Sequence, residues 1–256
     1  MKWPEYLILI RHAISAYNVL KDKKKNDPLY QEFCAEFDKD PFSSTTYNLA
    51  LQIHEKYALG VSDANTPLID KEANDAILVG KSLQGFYTLP DVIYVSPYER
   101  TLDTLEGLMM GWPALRNVKL YIDERVRERE HGLSLLYNDW RVFHALNPDQ
   151  RKLFKQEGKY YYRFPQGESI PDVRRRVHDW IGTLIREWSE QRVLAVTHHL
   201  TILSLLAELN RWNHNEFLDR DENDKPINTG VTIFQGFPDK GKNGKFEILR
   251  YNEKYY

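Results

Sequence analysis

Arginine and histidine stand side by side at Arg11-His12, directly after the apolar run Leu7–Ile10. Two other apolar runs end in a similar way. "DVIYVS" (91–96) leads on to Arg100, and "VLAVTH" (193–198) ends in His198 with His199 next. A Leu, Ile and Val run without polar alternation reads as a strand covered on both faces. In open α/β sheets, ligands bind just beyond the carboxyl ends of the strands. If these strands are neighbours, one sheet edge receives Arg11, His12, Arg100 and His198. Guanidinium and imidazole groups gathered there suit a small dianion, a phosphoryl group foremost. Helix N-termini after the strands add N–H donors. A neutral imidazole such as His12 is a competent nucleophile toward phosphorus. Arg11 and Arg100 suit the charge on the equatorial oxygens of an in-line transition state. The departing alkoxide then needs a proton. "VREREHG" (126–132) offers Glu128 and Glu130, although its charge pattern alone reads as a solvated loop.

These residues need a sheet to hold them. Further strand character lies in "VKLYID" (118–123) and "GVTIFQ" (230–235), and "FEILRYN" (246–252) alternates as an edge strand does. Helical spacing of apolar residues covers 68–86, 98–110, 172–189 and 199–210. Strands alternating with helices predict an α/β sheet covered on both faces. Residues 19–66 break the pattern: "KDKKKNDP" reads as a charged turn, and short helices are expected at 28–37 and 45–58. Residues 134–164, mixing aromatics with charges, read as a second insertion. The expectation is a single domain, 1–256, carrying both insertions. The three arginines Arg174, Arg175 and Arg176 fall on a helix and so point in different directions.

The 256 residues are enough to bury a substantial core. A formal net charge of −2 and the lack of an aromatic-basic platform argue against nucleic acid as a partner. Cys34 is the single cysteine, so no internal disulfide forms, which fits a reducing compartment. No apolar stretch approaches the roughly 20 residues of a membrane span, and the first apolar run is too short for a signal peptide. The chain therefore reads as soluble and cytoplasmic, with a small phosphorylated substrate as its partner and no membrane.

The motifs resemble those of the histidine phosphatase superfamily, also called phosphoglycerate mutase-like. Arg11-His12-Ala13 with Asn18 resembles its Arg-His-Gly…Asn motif. Ser96, Arg100 and Thr104 resemble its Ser-x-x-x-Arg motif with a following Thr. Val126-Arg127-Glu128 with Gly132 resembles its acid motif, and Val196-Thr197-His198 its late motif. "FPQGES" (164–169) and Asn228 before the strand at 230 also match. Five motifs in order make a specific signal.

The resemblance implies a three-layer α/β/α sandwich whose central sheet is mostly parallel, with an antiparallel edge strand. It implies that His12 becomes phosphorylated, that Arg11, Arg100 and His198 form the oxyanion clamp, and that Asn18 adds a contact. Glu128 would be proton donor and then base, with Glu130 a lesser substitute. No cofactor and no metal are expected. Departures are Ala13 for Gly, His199 after His198 where Gly is common, Ile14 where many members carry Glu, and Glu72 where Gly is usual. His199 is either a pocket residue that contacts substrate or a helix-start surface residue. The mutases' "GW.D" segment and paired-arginine loop are absent. "YYYRFPQGES" instead resembles a plant and fungal phosphatase-like subgroup, which favours hydrolysis. Phosphoglycerate mutase and an inactive phospho-ligand-binding module are the alternatives. Tyr160, Tyr161, Tyr162 and Arg163 read as an aromatic anchor or a substrate lid, and Lys21, Lys23, Lys24 and Lys25 as a solvated loop.

Overall fold

A computed structural model describes residues 2–70 and 75–256. The apolar runs assemble into one six-stranded sheet. Its strands are β1 (Tyr6–Arg11), β2 (Val92–Val95), β3 (Lys119–Ile122), β4 (Arg192–Thr197), β5 (Val231–Phe237) and β6 (Lys245–Glu253). Their order is β3-β2-β4-β1-β5-β6. The first four are parallel, β5 runs antiparallel to β1, and β6 closes the edge antiparallel to β5. Leu7 to Ile10 are all buried, which accounts for their lack of alternation. Burying those four side chains contributes about 6–12 kcal/mol in transfer terms.

The helices of the described residues are α1 (Ala16–Lys25), α2 (Pro28–Lys39), α3 (Ser44–Lys56), α4 (Ala76–Phe86) and α5 (Glu99–Gly111), then α6 (Trp140–Leu146), α7 (Pro148–Tyr161), α8 (Ile170–Glu187), α9 (His199–Asn210) and α10 (His214–Asn223). The chain divides into two compact units: residues 1–15, 67–128 and 172–256, and residues 16–66 with 129–171.

The first unit contains the sheet. Ile8, Ile10, Ile93, Val95, Leu194 and Val196 pack with α4 and α5 through Val79, Leu83, Leu105 and Leu108. The two helices lie so close that a Cβ on Gly80 would stand 2.4 Å from the Leu108 carbonyl oxygen. Tyr94 of β2 meets α8, its ring edge-on to Trp180, while its hydroxyl accepts from Trp188 Nε1 at 2.8 Å. Within the expected helix 68–86, the described residues form regular helix over Ala76–Phe86. Leu68 instead forms an isolated antiparallel bridge with Ser15. Ala73 and Glu72 lie outside the described residues.

The second unit is helical. Asp27 caps α2 by accepting from Leu29 N–H, with Pro28 at the first helical position, and Ser43 caps α3 by accepting from Thr46 N–H. Phe33, Phe37, Leu49, Ile53 and Val142 form its core. The sequence reading needs correction at the lysine run, which is the last part of α1 and not a turn. The cause is Lys24. It is buried, and its Nζ donates to Asp139 Oδ2 at 2.9 Å and to the Asn138 carbonyl at 2.7 Å. Tyr30 donates to the same carboxylate at 2.5 Å. Tyr162 is fully buried among Phe143, Phe154 and Phe164, with Tyr161 and Arg163 exposed, so this segment is an aromatic anchor of its unit. Gly132 has φ 50°, and a Cβ there would stand 2.1 Å from the Pro165 carbonyl oxygen.

Candidate active site

The geometry starts at the turn leaving β1. His12 is buried, and its Nδ1 lies 2.7 Å from the Ala13 carbonyl oxygen. A carbonyl only accepts, so Nδ1 carries the proton and Nε2 keeps its lone pair. The turn is fixed from two sides. Thr104 Oγ1 of α5 accepts from Ala13 N–H at 2.9 Å and donates to the Arg100 carbonyl at 2.6 Å. Asn228 Nδ2 donates to the carbonyls of His12 and Ala13 at 2.9 and 3.2 Å. The extra methyl of Ala13 is buried in this turn.

Parallel pairing of β1 and β2 with β4 brings the other strand ends beside it. Arg11 Nη1 donates to the Pro226 carbonyl at 2.7 Å, while its buried Nε has no hydrogen-bond partner. Arg100, in the first turn of α5, is buried with its guanidinium 4.8 Å from the centre of the Tyr98 ring. His198 is the residue before α9, its ring 5.2 Å from that of His12. His198 Nε2 lies 2.7 Å from Ser96 Oγ, and its Nδ1 is buried without a partner. Burial, with Arg100 and Arg11 alongside, holds the His12 pKa well below the usual imidazole value. Burial and Arg100 do the same for His198. Burial also lowers the Arg11 pKa, against the favourable charge of Glu128. Two neutral imidazoles therefore sit among fixed cations. Arg11 Nε and His198 Nδ1 are thus two buried nitrogens beside His12 with unused hydrogen-bonding capacity.

Glu128 is placed by three side chains that grip the loop after β3. Arg176 of α8 donates to the carbonyls of Arg125, Arg127 and Glu128 at 2.8, 2.9 and 3.0 Å. Thr197 Oγ1 donates to the Val126 carbonyl, and Thr201 Oγ1 to the Arg127 carbonyl. The three consecutive arginines diverge as expected: Arg174 pairs with Glu208, Arg175 is exposed and Arg176 holds this loop. His199, at the first position of α9, faces two carboxylates. Its Nε2 lies 2.9 Å from Asp221 Oδ1 and its Nδ1 lies 3.4 Å from Glu128 Oε2.

Arg11, His12, Arg100, Glu128, His198 and His199 thus all belong to the sheet unit. Asn18 lies on α1 and Glu130 beside "FPQGES", both in the helical unit, where Glu130 N–H donates to Glu168 Oε2 at 3.0 Å. Sequence reading did not single out Asp221, Thr201 or a positioning role for Arg176. Asp221 sits in "EFLDRDEN", a polar stretch in which no spacing distinguishes one carboxylate from the next. Arg176 is the member of its trio one turn of helix beyond Val173 and beside Val177, both buried, which is the available signal. Among the described residues no group of three or more His, Cys, Asp or Glu side chains is placed to hold a metal ion. No described helix is long and apolar enough to cross a membrane.

The model of the histidine phosphatase superfamily (branch 1) matches residues 55–253. Arg11 and His12 precede that match, so their assignment rests on motif and geometry. The chain is 32% identical over 134 residues to phosphoglycerate mutase-like protein AT74H of Arabidopsis thaliana, covering 48% of this chain and 45% of that one. It is 30% identical over 108 residues to broad-range acid phosphatase DET1 of Saccharomyces cerevisiae, covering 39% of this chain and 31% of that one. These matches span less than half the length of either relative. Among solved structures, YhfR of Bacillus stearothermophilus superposes with TM-score 0.64 at 20% identity, over 97% of this chain and 96% of that one. The alpha-ribazole phosphatase of Shigella flexneri superposes with TM-score 0.66 at 16% identity, over 97% and 96%. At such identities the superpositions speak to the fold alone.

Proposed function

The chain belongs to the histidine phosphatase superfamily, and from that premise we propose that it is a metal-independent phosphomonoesterase acting through a phosphohistidine at His12. The observation that carries this reading is the orientation of His12. Its Nδ1 is committed to the Ala13 carbonyl, and its ring is kept neutral by burial and by Arg100 and Arg11. The Nε2 lone pair is then available for phosphorus, and the nearby charges of Arg100 and Arg11 favour a phosphoryl group.

In the first step His12 Nε2 bonds to phosphorus as the ester P–O bond breaks. The Glu128 carboxyl proton passes to the leaving alkoxide. Arg11, Arg100 and His198 hold the equatorial oxygens, the two orphaned donors at Arg11 Nε and His198 Nδ1 gaining partners. His198 donates from Nδ1 when Ser96 Oγ–H donates to its Nε2, a tautomer the 2.7 Å contact permits. In the second step water attacks phosphorus, Glu128 takes its proton, and the P–N bond breaks. The proton given up in the first step is thereby recovered in the second. The substrate class is a phosphorylated small metabolite or a phosphoprotein, with a cytoplasmic setting. The acid phosphatase relative supports hydrolysis, and the mutase-like relative keeps phosphoryl return to substrate as the competing outcome.

The test is phosphate release from a panel of esters with EDTA present, by the wild type and by His12→Ala. The expected result is EDTA-resistant turnover and an acid-labile phosphoprotein, both lost in His12→Ala. Interconversion of phosphoglycerates with a bisphosphoglycerate primer and no net release would instead identify a mutase. Phosphate binding without turnover would identify a phospho-ligand-binding module.

A further inference from the structure

Two carboxylates, one of them the proposed acid Glu128, flank one imidazole. His199 bridges Asp221 at 2.9 Å and Glu128 at 3.4 Å. The carboxylate side chains are 6% and 12% exposed, and that of His199 is 21% exposed. The three residues come from separate elements: Asp221 from α10, His199 from the first position of α9 and Glu128 from the loop gripped by Arg176, Thr197 and Thr201. The distances fit an imidazolium that donates from both nitrogens. The charged groups acting on it are Asp221, Glu128 and Arg11. Burial disfavours the imidazolium, but the bonds to Asp221 and then Glu128, with the charge of Glu128, outweigh burial and the opposing Arg11. The His199 pKa is thereby raised, whereas His12 and His198 close by have theirs lowered.

We propose that His199, backed by Asp221, is a positioning residue that stores the proton Glu128 delivers and so sets the alkaline limit of hydrolysis. This rests on the reading of Glu128 as proton donor. Within the Glu128–His199 pair one proton is held by either partner. Before reaction it crosses from His199 Nδ1 to Glu128 Oε2, leaving neutral imidazole and a carboxylic acid. The acid then protonates the departing alkoxide as the P–O bond breaks. When water attacks the phosphohistidine, Glu128 takes a proton from it, and that proton returns to His199 Nδ1. The pair titrates as a unit, so the proton is retained up to the pKa of the imidazolium and not merely that of a carboxyl. Asp221 raises that limit by stabilising the imidazolium.

The decisive experiment compares pH profiles of kcat/KM for β-glycerophosphate and for p-nitrophenyl phosphate. The alkoxide of the first needs a proton to leave; p-nitrophenolate departs without one. His199→Gln keeps a polar side chain but cannot titrate. Its alkaline limb on β-glycerophosphate is expected to move about one pH unit or more toward acid, with about tenfold loss above neutrality, against less than about threefold on p-nitrophenyl phosphate. Asp221→Asn should move the same limb in the same direction by less, and it supplies the comparison if His199→Gln fails to fold. An unmoved limb, or equal loss on both esters, overturns the proposal and leaves His199 as a packing residue. Glu128→Gln tests the underlying reading separately. Loss confined to β-glycerophosphate supports Glu128 as donor, and undiminished hydrolysis of that ester removes the donor role and this proposal with it.

Discussion

Each compact unit buries histidine, and the two settings differ in what surrounds the ring. In the sheet unit His12 has one nitrogen bonded to a carbonyl and the charges of Arg100 and Arg11 acting on it. In the helical unit His144 is fully buried, with Phe154, Phe143 and Tyr162 ring centres at 5.0, 5.3 and 5.6 Å and Phe164 packed beside them. Neither nitrogen of His144 has a hydrogen-bond partner. Desolvation, assisted by Arg151, lowers its pKa to about 4. A depressed imidazole pKa is therefore no mark of catalysis by itself. What separates His12 is a lone pair oriented by the Ala13 carbonyl and set beside the charges of Arg100 and Arg11. Buried cations show the same contrast. Lys24 has Asp139 at 2.9 Å, whereas Arg11 keeps a buried Nε without a partner.

The sharpest way to break this contrast is to swap the roles of the two histidines in an assay. His12→Ala is expected to abolish phosphate release, by about 10⁴-fold or more, with the folded state retained. His144→Phe should leave kcat/KM within about twofold, since an apolar ring suits an aromatic cluster of similar volume. A large loss of activity in His144→Phe would erase the distinction. The next effect concerns the cations. Lys24→Met strands Asp139 in the helical unit and should destabilise it by about 3–5 kcal/mol in chemical denaturation. Stability without loss would mean that Tyr30 and water suffice for that carboxylate.

Acid unfolding sharpens the comparison further. Histidines with folded pKa values below the unfolded value of about 6.5 lose stability as pH falls, because the unfolded chain takes up protons first. His144 should thus withdraw about 3 kcal/mol between pH 6.5 and its folded pKa of about 4. His144→Phe should flatten that slope. His199 acts with the opposite sign: its stabilisation is complete below about pH 6.5 and declines as pH rises through its raised pKa. At the turn the expected loss is far smaller than that of His12→Ala. Asn228→Ala frees the carbonyls of His12 and Ala13 and should cost about tenfold in kcat, with KM little changed.

Much of the sheet unit was legible because its signals are local. Four apolar residues in a row at Leu7–Ile10 announce a doubly covered strand, and charged or imidazole residues at strand ends announce a ligand edge. His12, Arg100 and His198 could be read that way, and Arg-His, Ser-x-x-x-Arg and Val-Thr-His spacings placed them in one family. The rest depends on partners far away in sequence. Lys24 resembles its neighbours in a charged run until Asp139 is known to stand behind it. The hydroxyls of Thr197 and Thr201 look ordinary until the loop carbonyls they bind are in place. Leu68 fits the apolar periodicity of the helix that follows, yet it pairs with Ser15 in an isolated bridge, a contact no local pattern signals.

β1 comes early in the chain yet lies between β4 and β5. Its turn is fastened by Asn228, 216 residues away. A ribosome adding roughly 5–20 residues per second would take about 10–40 s to cover that distance. For most of that interval β1 would be an apolar segment without either flanking strand, since β4 ends at Thr197 and β5 begins only at Val231, which makes it a natural client for chaperones. Catalytic activity in a refolding or translation reaction would consequently appear late, as a readout of a highly non-local step in building the molecule.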